Sequence, residues 1–218
     1  MKFRQIRILL LVLTMVAVFG ATSLQATPVT IDFGTGLAGS GGTVIFNGAN
    51  ASGSNILIGT VTVLNAPVNN GGYTVNGTAP CTDNGCSPAF AGVLNFDTSA
   101  NYINIMGSIP GLGIGQSTLL TGTFNSFSVC QVCGAVSGGG QDFKSKALLN
   151  ALGLPADTQF AFFGFTLSSA PGDARQKAQS TDISNTSVPE PASLLLLVMG
   201  SLGLLVLAVR SRKLDATK

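Results

Sequence analysis

Histidine and tryptophan are absent from the chain, and it holds two tyrosines and a single glutamate. Charged residues make up only 9%, against the roughly 25% usual for soluble domains. Each shortage closes off a class of function. Without histidine there is no Ser-His-Asp or Cys-His arrangement, no imidazole base near neutral pH and no imidazole metal ligand. The few bases also sit mostly at the ends: Lys2, Arg4 and Arg7 in the first segment, Arg210, Arg212, Lys213 and Lys218 in the last. Between residues 27 and 188, seven aspartates face four bases, a net charge near −3 with no basic patch. Nucleic acid is therefore excluded as a partner, because its binding needs clustered Lys and Arg to replace phosphate counterions.

The acids point to no chemistry of their own. A glycosidase needs two carboxylates across a sugar, and seven dispersed aspartates permit such a pair without indicating one. TDNG and FDTS read as Asx turns. No D-x-D-x-D-G calcium loop occurs, and GLGIG lacks the spacing of a phosphate loop. The expectation is a protein with no catalytic residues, no metal and no cofactor.

The two ends carry the clearest signals. MKFRQIR, the apolar run ILLLVLTMVAVFGA and a small residue at Ala26 read as a signal peptide over 1–26. The run is short for a span, which takes about 20 residues. At the other end, residues 192–209 (ASLLLLVMGSLGLLVLAV) carry no charge and are long enough to cross a membrane as a helix. Arg210, Arg212 and Lys213 follow, and such residues stay cytoplasmic, so the rest of the chain falls on the far side. Pro189 and Pro191 fix φ and push the preceding residues to extended geometry. Val188-Pro189-Glu190-Pro191 should be an extended peptide that an enzyme could grip, with Glu190, the sole glutamate, as its mark. The plainer reading is a tail anchor whose prolines end the soluble domain.

Pro-Glu-Pro, one apolar span and a terminal basic cluster, over about residues 187–213, together resemble the PEP-CTERM sorting signal of Gram-negative bacteria. An N-terminal signal peptide is its expected companion. The resemblance implies an exosortase, a multi-pass membrane protease or transpeptidase, as partner, with Pro189, Glu190 and Pro191 as the recognition motif. Arg210, Arg212 and Lys213 would be the cytoplasmic stop. It also implies a link to exopolysaccharide and biofilm. The chain would cross the inner membrane, be held by its C-terminal helix before processing, and end at the cell surface or outside the cell. LDATK, beyond the basic cluster, makes the tail slightly longer than the pattern.

The middle reads as mainly all-β: an antiparallel β-sandwich-like domain over 27–168 with one short helix, then a polar linker over 169–188. PVTIDF and TVIF alternate with period two. NILIGTVTVL reads as one long strand. AGVLNFD and NYINIMGSI flank Thr98-Ser99-Ala100 as a hairpin, and QSTLLTGTFNSFSV as a long strand with a bend at Gly122. FAFFGFTL reads as a central strand packed on both faces. QDFKSKALLNALGLP predicts a helix of about ten residues, with Asp142 as N-cap, Phe143, Ala147, Leu148 and Ala151 on the inner face, and Gly153 as its stop. The glycine runs, SGGG among them, read as loops. Beyond Ser169 only a short strand near Thr181–Ile183 is expected.

Four cysteines remain: Cys81 and Cys86 in CTDNGC, Cys130 and Cys133 in CQVC. Their spacing suits zinc as well as disulfides, and export favours two disulfides. A redox role for CQVC lacks the nearby cation or helix N-terminus that would stabilise a thiolate. Three pairings are open, either two local clips or cross-links between distant loops.

Two functions fit these signals. The first is a non-enzymatic surface or matrix protein, sorted by its tail. The second is a binding module for the cell's own exopolysaccharide, for which Tyr73 and Tyr102 are the tyrosine candidates for an aromatic platform.

Overall fold

The computed structural model describes residues 27–81, 83 and 85–187, with backbone alone at 161–163. The expected signal peptide, sorting motif and membrane helix lie outside the described residues. Twelve strands are present among the described residues: β1 Thr30–Gly34, β2 Thr43–Asn47, β3 Asn50–Ile58, β4 Thr60–Leu64, β5 Gly71–Thr74, β6 Asn76–Pro80, β7 Phe90–Asp97, β8 Tyr102–Ile109, β9 Ile114–Cys130, β10 Ala135–Lys144, β11 Phe160–Ser169 and β12 Arg175–Ser187. The single α-helix described is α1, Lys146–Ala151.

All of the strand pairings are antiparallel, as the sequence leads one to expect. They form one hydrogen-bonded sheet, in which a sandwich would have two. The sheet closes through β12. One edge of β12 pairs with β11; the other pairs with β2 at Arg175–Lys177 and with β1 at Asp182–Thr186. Following the pairings from β12 through β11, β10, β9, β8, β7, β3 and β2 leads back to β12. β1, β4 and β5 branch from the circuit, and β6 bridges β7 and β8. The 17-residue β9 makes this possible, because its first half pairs with β8 and its second with β10.

Alternation along the strands selects the inner face. In β1, Ile31 and Phe33 are buried while Thr30 and Asp32 face outward. In β12, Ala178, Ile183 and Asn185 are buried. Phe96 and Phe165 meet edge-on with centroids 5.0 Å apart, and Phe124 packs 5.8 Å from Phe165. Edge-to-face rings add directional attraction to apolar burial.

The structure corrects five expectations. NILIGTVTVL is two strands: β3 ends at Ile58, Gly59 intervenes, and β4 pairs with different partners. A Cβ at Gly59 would lie 2.6 Å from the Thr35 carbonyl oxygen, so only glycine allows the chain to switch partners there. SGGG is no loop but the middle of β10. A Cβ at Gly138 would stand 2.9 Å from the Phe124 ring, so the missing side chain there makes room for a core aromatic. The helix is six residues, not ten, and its N-cap is Ser145, whose Oγ accepts from Leu148 N at 3.2 Å. Asp142 and Phe143 belong to β10, Asp142 facing inward and Phe143 outward at 63% exposure. The supposed linker is mostly β12, thirteen residues at the centre of the sheet. Its polar side chains misled because only one face is buried, and that face takes Gln176, Thr181 and Asn185 with hydrogen bonds. Finally, from Gly164 to Ser168 β11 alternates, with Phe165 and Leu167 buried and Thr166 and Ser168 exposed, so this half packs on one face only.

Candidate functional site

The cysteines resolve into local clips. Cys81 and Cys86 lie at disulfide distance with Cα atoms 6.2 Å apart, and Cys130 and Cys133 likewise at 5.2 Å. Both separations fall in the usual disulfide range. The first clip shapes a loop laid over the turn at Gly36–Ala38. Asp83 in that loop accepts from Ser40 N and from Ser40 Oγ, both at 2.7 Å, and pairs with Lys177 Nζ at 3.5 Å. These hydrogen bonds from Ser40, with help from Lys177, hold the Asp83 carboxyl below its ordinary range. The second clip closes the β9–β10 hairpin, at whose tip Val132 is 82% exposed.

Two constellations of titratable groups were not legible in the sequence. The first joins Asp32 of β1 to Asp182 of β12. Register sets Gly34 opposite Asp182 and Asp32 opposite Ser184, so both carboxyls share the outer face of neighbouring strands. Burial pushes Asp32 up to about 7, and a hydrogen bond and charge repulsion from Asp182 add to it. Asp32 therefore keeps its proton well above the usual carboxylate range. The second is internal. Lys144 Nζ donates to Asp142 Oδ1 at 2.7 Å, and both side chains are completely buried. The ammonium also lies 4.4 Å from the Phe160 ring centroid, a cation–π contact. Burial pushes Lys144 down to about 8 and Asp142 up, and each partner's charge partly opposes the other's shift. Asp142 Oδ2 has no protein partner. Charged residues two apart on a strand normally mark a solvent face, so the pattern pointed away from the core.

The two tyrosines part company. Tyr73 on β5 is half-buried; its hydroxyl donates to Asn69 O at 2.9 Å and its ring packs against the core. Tyr102 on β8 is 42% exposed on the outer face of the sheet. The spacing signal for Phe143 was present in GQDFK, whose outward Gln141 and Phe143 alternate with the inward pair.

Among the described residues no helix is long and apolar enough to cross a membrane, and the expected span at 192–209 is not among them. The last described strand ends at Ser187, where Ser187 N donates to Val29 O at 2.8 Å and Ser187 Oγ accepts from Val29 N at 2.9 Å. Two residues later the sequence reads Pro189-Glu190-Pro191.

The Pro-Glu-Pro stretch thus follows the described antiparallel β unit closely in sequence. Residues 187–213 match the family model of the PEP-CTERM protein-sorting motif, so the chain carries that signal, the mark of an exported protein sorted by an exosortase. No curated protein and no solved structure matches the chain.

Proposed function

We propose that this is a non-enzymatic protein of the cell surface or extracellular matrix, cut by an exosortase at Pro189-Glu190-Pro191 after export and associated with exopolysaccharide or biofilm. The observation that carries the reading is the sorting motif at 187–213. Its recognition peptide would be Pro189, Glu190 and Pro191, with residues 192–209 in the membrane and Arg210, Arg212 and Lys213 as the cytoplasmic stop. A cut beyond Ser187 would leave every described strand in place.

Two features support the absence of catalysis. There is no histidine. The described carboxyls form no cluster of three or more metal-ligating groups, and Asp142 is sealed in the core against Lys144, out of reach of a substrate. The cysteines stand as two structural clips.

The test is the C-terminal peptide of the mature chain, read by mass spectrometry from cells with and without the exosortase. A terminus near Pro189-Glu190-Pro191 that depends on the enzyme supports the reading. A chain running to Lys218 in both cells would make the tail an uncut membrane anchor.

A further inference from the structure

The outer face of β7–β10 brings together side chains that lie far apart in the sequence. Tyr102 on β8 and Phe143 on β10 both point outward, at 42% and 63% exposure. Phe143 pairs with Thr121 of β9, and Thr121 with Asn104 of β8. Tyr102 stands two residues before Asn104 on the same face. Strand spacing of about 4.8 Å and a rise of about 3.3 Å per residue put the two aromatic Cα atoms roughly 12 Å apart. The polar groups between and beside them are amides and hydroxyls. Asn95 Nδ2 donates to Asn104 Oδ1 at 3.3 Å, and Asn95 Oδ1 accepts from Asn55 N at 3.0 Å. Gln141 flanks Phe143 on the same face. Next to Tyr102, Asn101 Oδ1 accepts from Phe124 N at 2.8 Å, which pins the start of β8 to β9 and fixes the ring's base.

Charge on this face is nearly absent. On β7–β10 the one outward ionised side chain is Asp97, and its carboxylate is occupied by Ser99 N at 2.8 Å, Ser99 Oγ and Ala100 N at 3.0 Å. A charged ligand finds no counter-ion here. A purely apolar ligand would desolvate the amides without replacing their hydrogen bonds. What fits is a flat molecule with apolar C–H faces for the rings, hydroxyls for the amides, and a repeat long enough to reach both rings. We propose that the Tyr102–Phe143 face binds a neutral polysaccharide chain, the two rings stacking on sugars along one strand of it, with Asn95, Asn104, Thr121 and Gln141 as hydrogen-bonding partners.

The proposal deepens the surface-protein reading and names its ligand class. Binding by purified chain is independent of tail processing, so either can fail without the other. The experiment is co-sedimentation of the full chain, purified in detergent, with microcrystalline cellulose, curdlan and chitin. Retention on at least one is expected, weakened about tenfold by Tyr102→Ala and by Phe143→Ala, and unchanged by Leu37→Ala, which removes a more exposed apolar side chain elsewhere. Equal melting temperatures show that the variants remain folded. No retention on any of the three, or retention untouched by both substitutions, overturns the proposal. So does loss of a dimer in the two variants without any change in sedimentation, which would assign the face to a second copy of the chain.

Discussion

Asp32 makes stability depend on pH in an uncommon direction for a carboxylate. Its folded pKa of about 7 stands above the unfolded 3.8, so the folded state holds the extra proton. The favourable contribution is complete at low pH and disappears as pH rises through 7. Melting temperature should fall between about pH 4 and 7 and level off above it, and Asp32→Asn should flatten that slope. At pH 8 the substitution should stabilise by about 2 kcal/mol, a figure already reduced for partial exposure. Thermal melts of both proteins across that range check it, and parallel curves would refute it. Lys144 behaves differently, because its partner is sealed in with it. Lys144→Ala strands a buried carboxylate and should cost about 3–5 kcal/mol, while the double change Asp142→Leu with Lys144→Met should recover most of the loss. Denaturant midpoints of the three chains decide this.

Elements were legible where burial followed a simple period. The β7–β8 hairpin was readable because its alternation is clean and its turn is an Asx turn: Asp97 caps Ser99 and Ala100, with Asp97 opposite Tyr102. β10 and β12 were not. In β10 the inward positions include Asp142 and Lys144, which reverses the usual pattern, and Gly138 stands where Phe124 needs space. In β12 the buried face includes Gln176, Thr181 and Asn185, whose Nε2, Oγ1 and Nδ2 donate to carbonyl oxygens of Gln131, Thr166 and Ile31, distant in sequence or on another strand. No local rule supplies those partners, so the strand looked like a linker and the domain seemed to stop near residue 168. The Asp32–Asp182 pair was hidden for the same reason, since it exists only once β1 lies against β12. The short helix was legible in kind but not in extent, because DFKSKALL holds two acceptable caps. Ser145 is the working one, and Ser145→Ala should cost about 1 kcal/mol, measured as a shift in the denaturant midpoint. Asp142→Asn, by contrast, should leave the helix start unchanged.

For the whole molecule, the two clips contribute less than cross-links would. Each closes a loop of only a few residues, so replacing Cys81 and Cys86 together by serine should cost about 2 kcal/mol, with the fold intact. Equilibrium unfolding of that variant checks this; failure to fold would mean that the loop over Ser40 does more than the entropy of a short ring allows. A chain ending at residue 188 keeps all twelve described strands and should melt as one cooperative unit in a thermal scan, whereas a chain ending at 174 loses β12 and should not fold. The reason lies in β12. It comes last of the twelve strands, yet it sits between β11 on one side and β1 and β2 on the other, and Ser187 bonds back to Val29 across 158 positions. A chain that emerges N-terminus first therefore cannot close this circuit until β12, the last described strand, has joined it. The address at its end follows directly behind the strand that locks it, so arrival of the label and completion of the shape are nearly the same event.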